Sequence, residues 1–261
     1  MRNTSLNLIF CLATLIGTVI NSNVSAQPAA GTKSVHVLLV HGAWADGSSW
    51  SKVIALLQAK GITAVAVQLP LVTLTGDVAT VKRAIALQDG PVILAGHSYG
   101  GAVITEAGND PKVAGWVYVA AFAPDSGESV GSGGKGYTPA PLGAELPPDA
   151  EGYLSISPKG VAEDFAQDLP AQAAKELWAT QGPTNGAVFG TPISAAAWKS
   201  KPSWFVVAAE DRAIPPALEK AEAERMKATT INVSASHLVM ISHPKDVADL
   251  IETATATVAK H

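Results

Sequence analysis

The residues best able to do chemistry in this chain lie in Gly96-His97-Ser98-Tyr99-Gly100-Gly101. A serine with glycine two residues before it and two after it can occupy a turn too tight for larger neighbours. The apolar run from Pro91 to Ala95 reads as a short buried strand. Beyond the serine, Ala102, Val103, Ala107 and Gly108 fall at helical spacing. Such a strand, turn and helix make a nucleophile elbow. The serine is held in a strained conformation, and free N–H groups and the positive end of the helix dipole face whatever it attacks.

A serine hydroxyl needs a base to activate it, and the base needs an acid to orient it. Both should leave loops at the carboxyl ends of strands. Asp211 does so in Ala209-Glu210-Asp211-Arg212-Ala213-Ile214-Pro215-Pro216, directly after the apolar run 204–208. Its neighbour Glu210 is expected to be solvated or paired with Arg212, and Asp125 is the runner-up acid. His237 directly follows the last strand-like run and lies C-terminal to the acid. His243 falls at the start of the closing helix and His261 in the tail. His36 lies within a strand, and His41 and His97 in tight turns, so structural roles are expected for all three. The resulting chain order is nucleophile, acid, base: Ser98, Asp211, His237.

The elements that must position these residues alternate along the chain. Strands are expected at 35–40, 63–67, 91–95, 113–120, 203–208 and 230–233. Helices are expected at 49–60, 77–88, after Ser98, at 216–226 (a charged surface helix) and at 244–258. Near-continuous apolar strands alternating with helices predict an α/β fold: a mostly parallel sheet of about six strands with helices on both faces. Residues 124–200 are too long for a simple crossover. They are rich in glycine and proline from 127 to 148, and helical patterns begin at Ser157-Pro158 and at Pro170. The insertion is expected to be a mobile helical cap at the carboxyl edge of the sheet. Phe165, Leu169, Leu177, Trp178 and Phe189 supply its apolar faces, with Trp178 and Phe189 against the substrate.

Composition limits the function classes. The chain has 261 residues, 48% hydrophobic and 15% charged, with a net charge of −4, which suits a globular enzyme. Residues 1–26 have the pattern of a signal peptide: Arg2, an apolar stretch over 6–20, and Val24-Ser25-Ala26 as the cleavage site. The stretch is shorter than the ~20 residues of a membrane span. Cleavage would leave 27–261 as one domain, remove the only cysteine, Cys11, and make the net charge one unit more negative. An exported protein without disulfides is expected, with neither nucleic acid nor anionic membrane as a partner. No metal-ligand spacing is present, and Gly133-Gly134-Lys135-Gly136 lacks both the Ser or Thr and the preceding strand of a phosphate loop. No metal or cofactor is expected.

Five segments carry a family resemblance: L-V-H-G-A-W (39–44), G-H-S-Y-G-G (96–101), A-F-A-P-D (121–125), A-E-D-R-A-I-P (209–215) and S-H-L-V-M (236–240). Together they resemble the α/β-hydrolase superfamily, and within it the small plant methylesterases and hydroxynitrile lyases with their bacterial esterase relatives. The resemblance implies the α/β-hydrolase fold, a triad of Ser98, Asp211 and His237, and an oxyanion hole from the backbone N–H groups of Ala43 and Tyr99. Tyr99 also fits on physical grounds, as the residue after the nucleophile at a helix N-terminus. Trp44 is assigned to the substrate pocket. After it stands Ala45-Asp46, where relatives often carry a second His-Gly pair. The expected activity is that of a serine carboxylesterase acting on small-to-medium hydrophobic esters through an acyl-enzyme. The alternatives are a cyanohydrin-cleaving lyase of the same fold and a hydrolase-fold receptor for a small ligand. In the lyases the position of Gly42 is a threonine and that of Leu238 a lysine, and both differences point to ester hydrolysis. The complete Ser, Asp and His set and the export pattern weigh against the receptor.

Overall fold

Short apolar runs closed by turn residues build the centre of the molecule. The structure, a computed structural model, describes residues 34–260. The signal assigned to 1–26 lies outside the described residues. Six strands form one sheet: β1 (His36–Val40), β2 (Thr63–Val67), β3 (Val92–Ser98), β4 (Val113–Ala121), β5 (Ser203–Ala208) and β6 (Thr229–Val233). Every pairing is parallel, in the order β2-β1-β3-β4-β5-β6. The longer helices are α1 (Ser51–Ala59), α2 (Leu74–Ala86), α3 (Tyr99–Ala107), α4 (Ala171–Thr180), α5 (Pro216–Met226) and α6 (Pro244–Val258). α1 packs with α6 and α2 with α3, so two helical layers enclose the sheet. β3 is buried along its whole length, which is why it is apolar at successive positions instead of alternating.

Three of the boundaries that differ from the sequence expectation do so for a clear local reason. β3 continues past Ala95 to Ser98 because its backbone keeps pairing with β4, through a register shift at His97/Ser98. α2 starts at Leu74 because the Thr73 hydroxyl caps it, accepting the Gly76 N–H at 3.1 Å. The helix expected over 49–60 is preceded by a separate turn, Gly47–Trp50, in which the Asp46 carboxylate accepts the Ser48 N–H at 2.6 Å.

The strand order places the site. From β1 the chain passes to β2 on one side and then returns to β3 on the other. The loops after β1 and β3 therefore diverge and leave a crevice at the carboxyl edge of the sheet. The long connection from β4 to β5 holds α4 and a helical stretch, Pro158–Gly160 running into Val161–Phe165. It also holds a short antiparallel ladder pairing Tyr153–Leu154 with Thr184–Asn185. The stretch 127–148, expected to be loop, contains the short turns Val130–Gly133 and Pro141–Glu145. Among the described residues no helix is long and apolar enough to cross a membrane.

Candidate active site

Ser98 closes β3 with φ 53° and ψ −125°, a left-handed conformation that costs a non-glycine residue about 1–3 kcal/mol. The surrounding packing enforces it. A Cβ on Gly100 would lie 2.6 Å from the His41 carbonyl oxygen, and one on Gly96 would lie 2.7 Å from that of Gly100. A side chain at Gly100 would push the turn away from β1, and one at Gly96 would push α3 away from β3. The next residue, Tyr99, is anchored by its buried hydroxyl, which donates to Asp77 Oδ2 at 2.7 Å, while Asp77 Oδ1 accepts the Leu71 N–H at 2.9 Å. Burial raises the pKa of both the Asp77 carboxyl and the Tyr99 phenol above their usual values.

The other side of the crevice comes from the loop after β1. Val40 pairs with Gly96, so Gly42 runs alongside Ser98, and a Cβ on Gly42 would lie 2.7 Å from Ser98 Cβ. His41 uses both ring nitrogens here. Its Nδ1 donates to the Gly42 carbonyl at 2.8 Å and its Nε2 accepts the Leu69 N–H at 2.9 Å. Burial lowers its pKa, in keeping with that neutral tautomer. In a trans peptide the N–H points opposite to the C=O. Holding the Gly42 carbonyl therefore aims the Ala43 N–H. Among the described residues neither the Ala43 nor the Tyr99 N–H has a hydrogen-bond partner.

Asp211 and His237 meet across the ends of β5 and β6. His237 Nδ1 lies 2.5 Å from Asp211 Oδ2, with both side chains at most 1% exposed. Asp211 Oδ1 accepts the N–H groups of Ala213 at 2.7 Å and Ile214 at 2.8 Å, so its own turn orients it. His237 Nε2 is buried without a partner among the described residues, and Ser98 Oγ does not yet bond to it. Such contacts are often long until substrate arrives.

The remaining candidates separate from this group. Glu210 is exposed and bonds Ser234, not Arg212, which instead pairs with Asp164 at 3.0 Å. Asp125 pairs with Lys199. His36 pairs with Asp89 at 2.8 Å, and His243 bonds the Ser242 hydroxyl at 3.0 Å. His97 was expected only to sit in a turn, yet its Nε2 donates to the His237 carbonyl at 3.0 Å. Burial and the neighbouring imidazoles push its pKa well below the usual histidine value, so it acts as a neutral donor.

A cavity of about 410 Å³ opens over Ser98 and His237. Its walls are apolar, from Trp44, Phe122, Leu142, Leu154, Phe189 and Leu218 among others, and no lysine or arginine is among its lining residues. Trp44 meets Phe189 at a tilt of 36° with ring centroids 5.7 Å apart, and Phe165 edge-on at 6.2 Å. On its far side lies a smaller chamber of about 40 Å³, lined in part by Phe165, Leu177 and Leu238. Trp178 does not join this lining. It lies on the outer side of α4, 44% exposed, because adjacent Leu177 takes the inward position. A cleft of about 560 Å³ at the other end of the sheet, around Pro91, Lys112 and Lys201, contains none of these groups.

Polar contacts staple the insertion to three of the four connections that build the site, those after β1, β5 and β6. Thr184 Oγ1 accepts the Trp44 N–H at 3.1 Å, and the Trp44 indole donates to the Leu154 carbonyl at 2.9 Å. These contacts hold Trp44 at φ 58°. Asp164 takes Arg212, and Gln167 Nε2 donates to the Glu210 carbonyl at 2.7 Å. Asp168 accepts both the N–H (2.9 Å) and the hydroxyl (2.5 Å) of Ser236, next to His237. Sequence reading missed these partners because each pairs with a residue far away in the chain. Among the described residues no group of three His, Cys, Asp or Glu side chains is placed to hold a metal.

Known proteins share this fold. A probable hydrolase of a Phoma species is 27% identical over 237 residues, 82% of this chain and 96% of its own. A pyrethroid hydrolase from Sphingobium faniae superposes with a TM-score of 0.75 at 24% identity, over 87% of this chain and 100% of its own. Polyneuridine aldehyde esterase superposes with a TM-score of 0.74 at 20% identity, over 85% of this chain and 100% of its own. Residues 37–250 match the alpha/beta hydrolase family, a span that begins within β1, ends within α6 and includes every loop described above. The chain belongs to the alpha/beta hydrolase family.

Proposed function

We propose that the protein is a serine carboxylesterase for small-to-medium hydrophobic esters. The observation that carries this reading is the apolar cavity whose floor holds Ser98 and His237, with His237 bonded to buried Asp211. In the proposed reaction His237 Nε2 takes the Ser98 proton as Oγ attacks the ester carbonyl. The N–H groups of Ala43 and Tyr99 receive the developing oxyanion, and Asp211 supports the imidazolium. Collapse expels the alcohol, which takes its proton from His237 and leaves Ser98 acylated. Water, deprotonated by His237, then releases the acid. Names among similar proteins, an esterase and a pyrethroid hydrolase, support this class of substrate.

Cyanohydrin cleavage fits the site poorly. A threonine at Gly42 would press on Ser98 Cβ, and Leu238 is 1% exposed and brings no charge to a departing anion. Purified protein should hydrolyse p-nitrophenyl and methyl esters and release no cyanide from mandelonitrile above the spontaneous rate. Cyanide release that depends on Ser98, without ester turnover, would overturn the assignment. In the same ester panel, Phe189→Ala should widen the cavity roof. It should raise kcat/KM for branched or longer esters relative to acetate by about tenfold, the size of effect expected for one or two methylenes of added room. An unchanged ranking would place Phe189 outside substrate contact.

We also propose export, on the strength of Arg2, the apolar stretch 6–20 and Val24-Ser25-Ala26. N-terminal sequencing of protein recovered outside the cytoplasm should begin at Gln27. Recovery of only the full-length, cytoplasmic chain would refute this.

A further inference from the structure

The sequence of α5, P-A-L-E-K-A-E-A-E-R-M, reads as a solvated charged helix, yet Glu219 is 0% exposed and Glu222 only 3%. Glu222 has a structural task. It accepts the Ala123 N–H at 2.8 Å and lies 3.8 Å from Arg225, and burial raises its pKa to about 7. Glu219 is different. Its Oε2 accepts the Ala208 N–H at 3.0 Å, but its Oε1 is buried without any donor among the described residues. Ala208 also ties it to Asp211, whose N–H donates to the Ala208 carbonyl at 3.2 Å, so the two buried carboxyls are neighbours.

Two adjacent buried carboxyls cannot both ionise, since each charge opposes the other in a site that water does not screen. The donors decide which one keeps the charge. Asp211 receives three: His237 Nδ1 and the N–H groups of Ala213 and Ile214. Glu219 receives one. The charge therefore resides on Asp211 and the proton on Glu219. Once protonated, Oε1 is no longer an orphan acceptor but a donor, and Asp211 is the acceptor beside it. Glu219 also sits in the first turn of α5, where the helix dipole favours a negative charge. That pull is weaker than repulsion between carboxylates in contact. Burial first, then the charges of Asp211 and Glu222, push Glu219 well above the usual carboxyl range.

We propose that Glu219 is a neutral carboxylic acid that donates a hydrogen bond to Asp211 and so positions the acid that orients His237. The role rests on the esterase reading, but the proton itself does not. Glu219 touches no reacting atom and is a positioning residue.

Infrared difference spectra between wild type and Glu219→Gln at pH 7 should show the carbonyl stretch of a protonated carboxyl in wild type only. Above pH 5 the Gln variant should also melt at higher temperature than wild type, with the difference vanishing near pH 4. The sign follows from linkage: a folded state that holds a proton the unfolded state releases loses stability as pH rises. Neither readout needs turnover, so either can fail while Ser98 still labels and hydrolyses esters. In ester turnover, Glu219→Leu should lower kcat about tenfold, the loss of one hydrogen bond to a charge. It should also move the acid limb of kcat/KM to higher pH, because a less stabilised Asp211 holds the protonated imidazole more strongly. Glu219→Gln keeps a neutral donor and should restore most of the activity and the limb. Absence of the carboxyl band in wild type, an acid limb moved to lower pH in Glu219→Gln, or an unmoved limb in Glu219→Leu would each overturn the proposal.

Discussion

Ser98→Ala is expected to lose at least about 10³-fold in kcat, leaving only the rate supplied by binding and the two backbone donors. The prediction follows from the elbow geometry. Ser98 bears φ 53° on a turn that packs against the His41 carbonyl, and alanine can keep that backbone while deleting the one atom proposed to attack. Stability should change little, because the residue is small and its neighbours contact its backbone and Cβ. An alkyl fluorophosphonate should add one adduct per chain, on the peptide carrying Ser98, and the variant should not label. Mass spectrometry that finds the adduct on another serine, or turnover undiminished in the variant, would end the acyl-enzyme reading.

Asp211→Asn should cost about 10⁴-fold in kcat, more than its near-isosteric size suggests. One oxygen of Asp211 faces the two N–H groups of its turn and the other faces His237 Nδ1. The amide must turn its oxygen to the turn donors and its NH₂ to the imidazole. His237 must then accept at Nδ1 and carry its proton at Nε2, where it cannot take one from Ser98. His237→Ala should lose a similar factor by removing the base altogether. Both variants should keep the wild-type circular dichroism spectrum. A large loss from a change at His243, with none at His237, would show the base to be misassigned.

Much of the frame was legible because it depends on short-range rules. β2 and β5 match expectation to the residue, being apolar runs bounded by turn residues. α5 and α6 begin at Pro216 and Pro244, where proline suits the first helical turn. Ser98, Asp211 and His237 could be singled out because each stands at or just beyond the end of a strand, and the structure does bring Asp211 and His237 together. What could not be read was which polar side chains turn inward. Glu219 and Glu222 look solvated in sequence, but the N–H groups of Ala208 and Ala123, on other elements of the fold, need acceptors and draw them in. Leu177 and Trp178 are equally apolar neighbours, and helical period alone does not say which of two adjacent residues faces the core. His97 has no local signal of its contact, since the carbonyl it holds is 140 positions further on.

The staples between the insertion and the three loops bear on how this enzyme can be redesigned. An insertion resting on apolar contact alone would be a module, exchangeable for another with a differently shaped roof. Here Thr184, Asp164 and Asp168 hold the segments that carry Trp44, Asp211 and His237. A transplanted insertion without these three side chains would leave those segments without their anchors, even if its own shape suited the substrate. Redesign of specificity is better confined to the aromatic lining, with the polar anchors carried over unchanged.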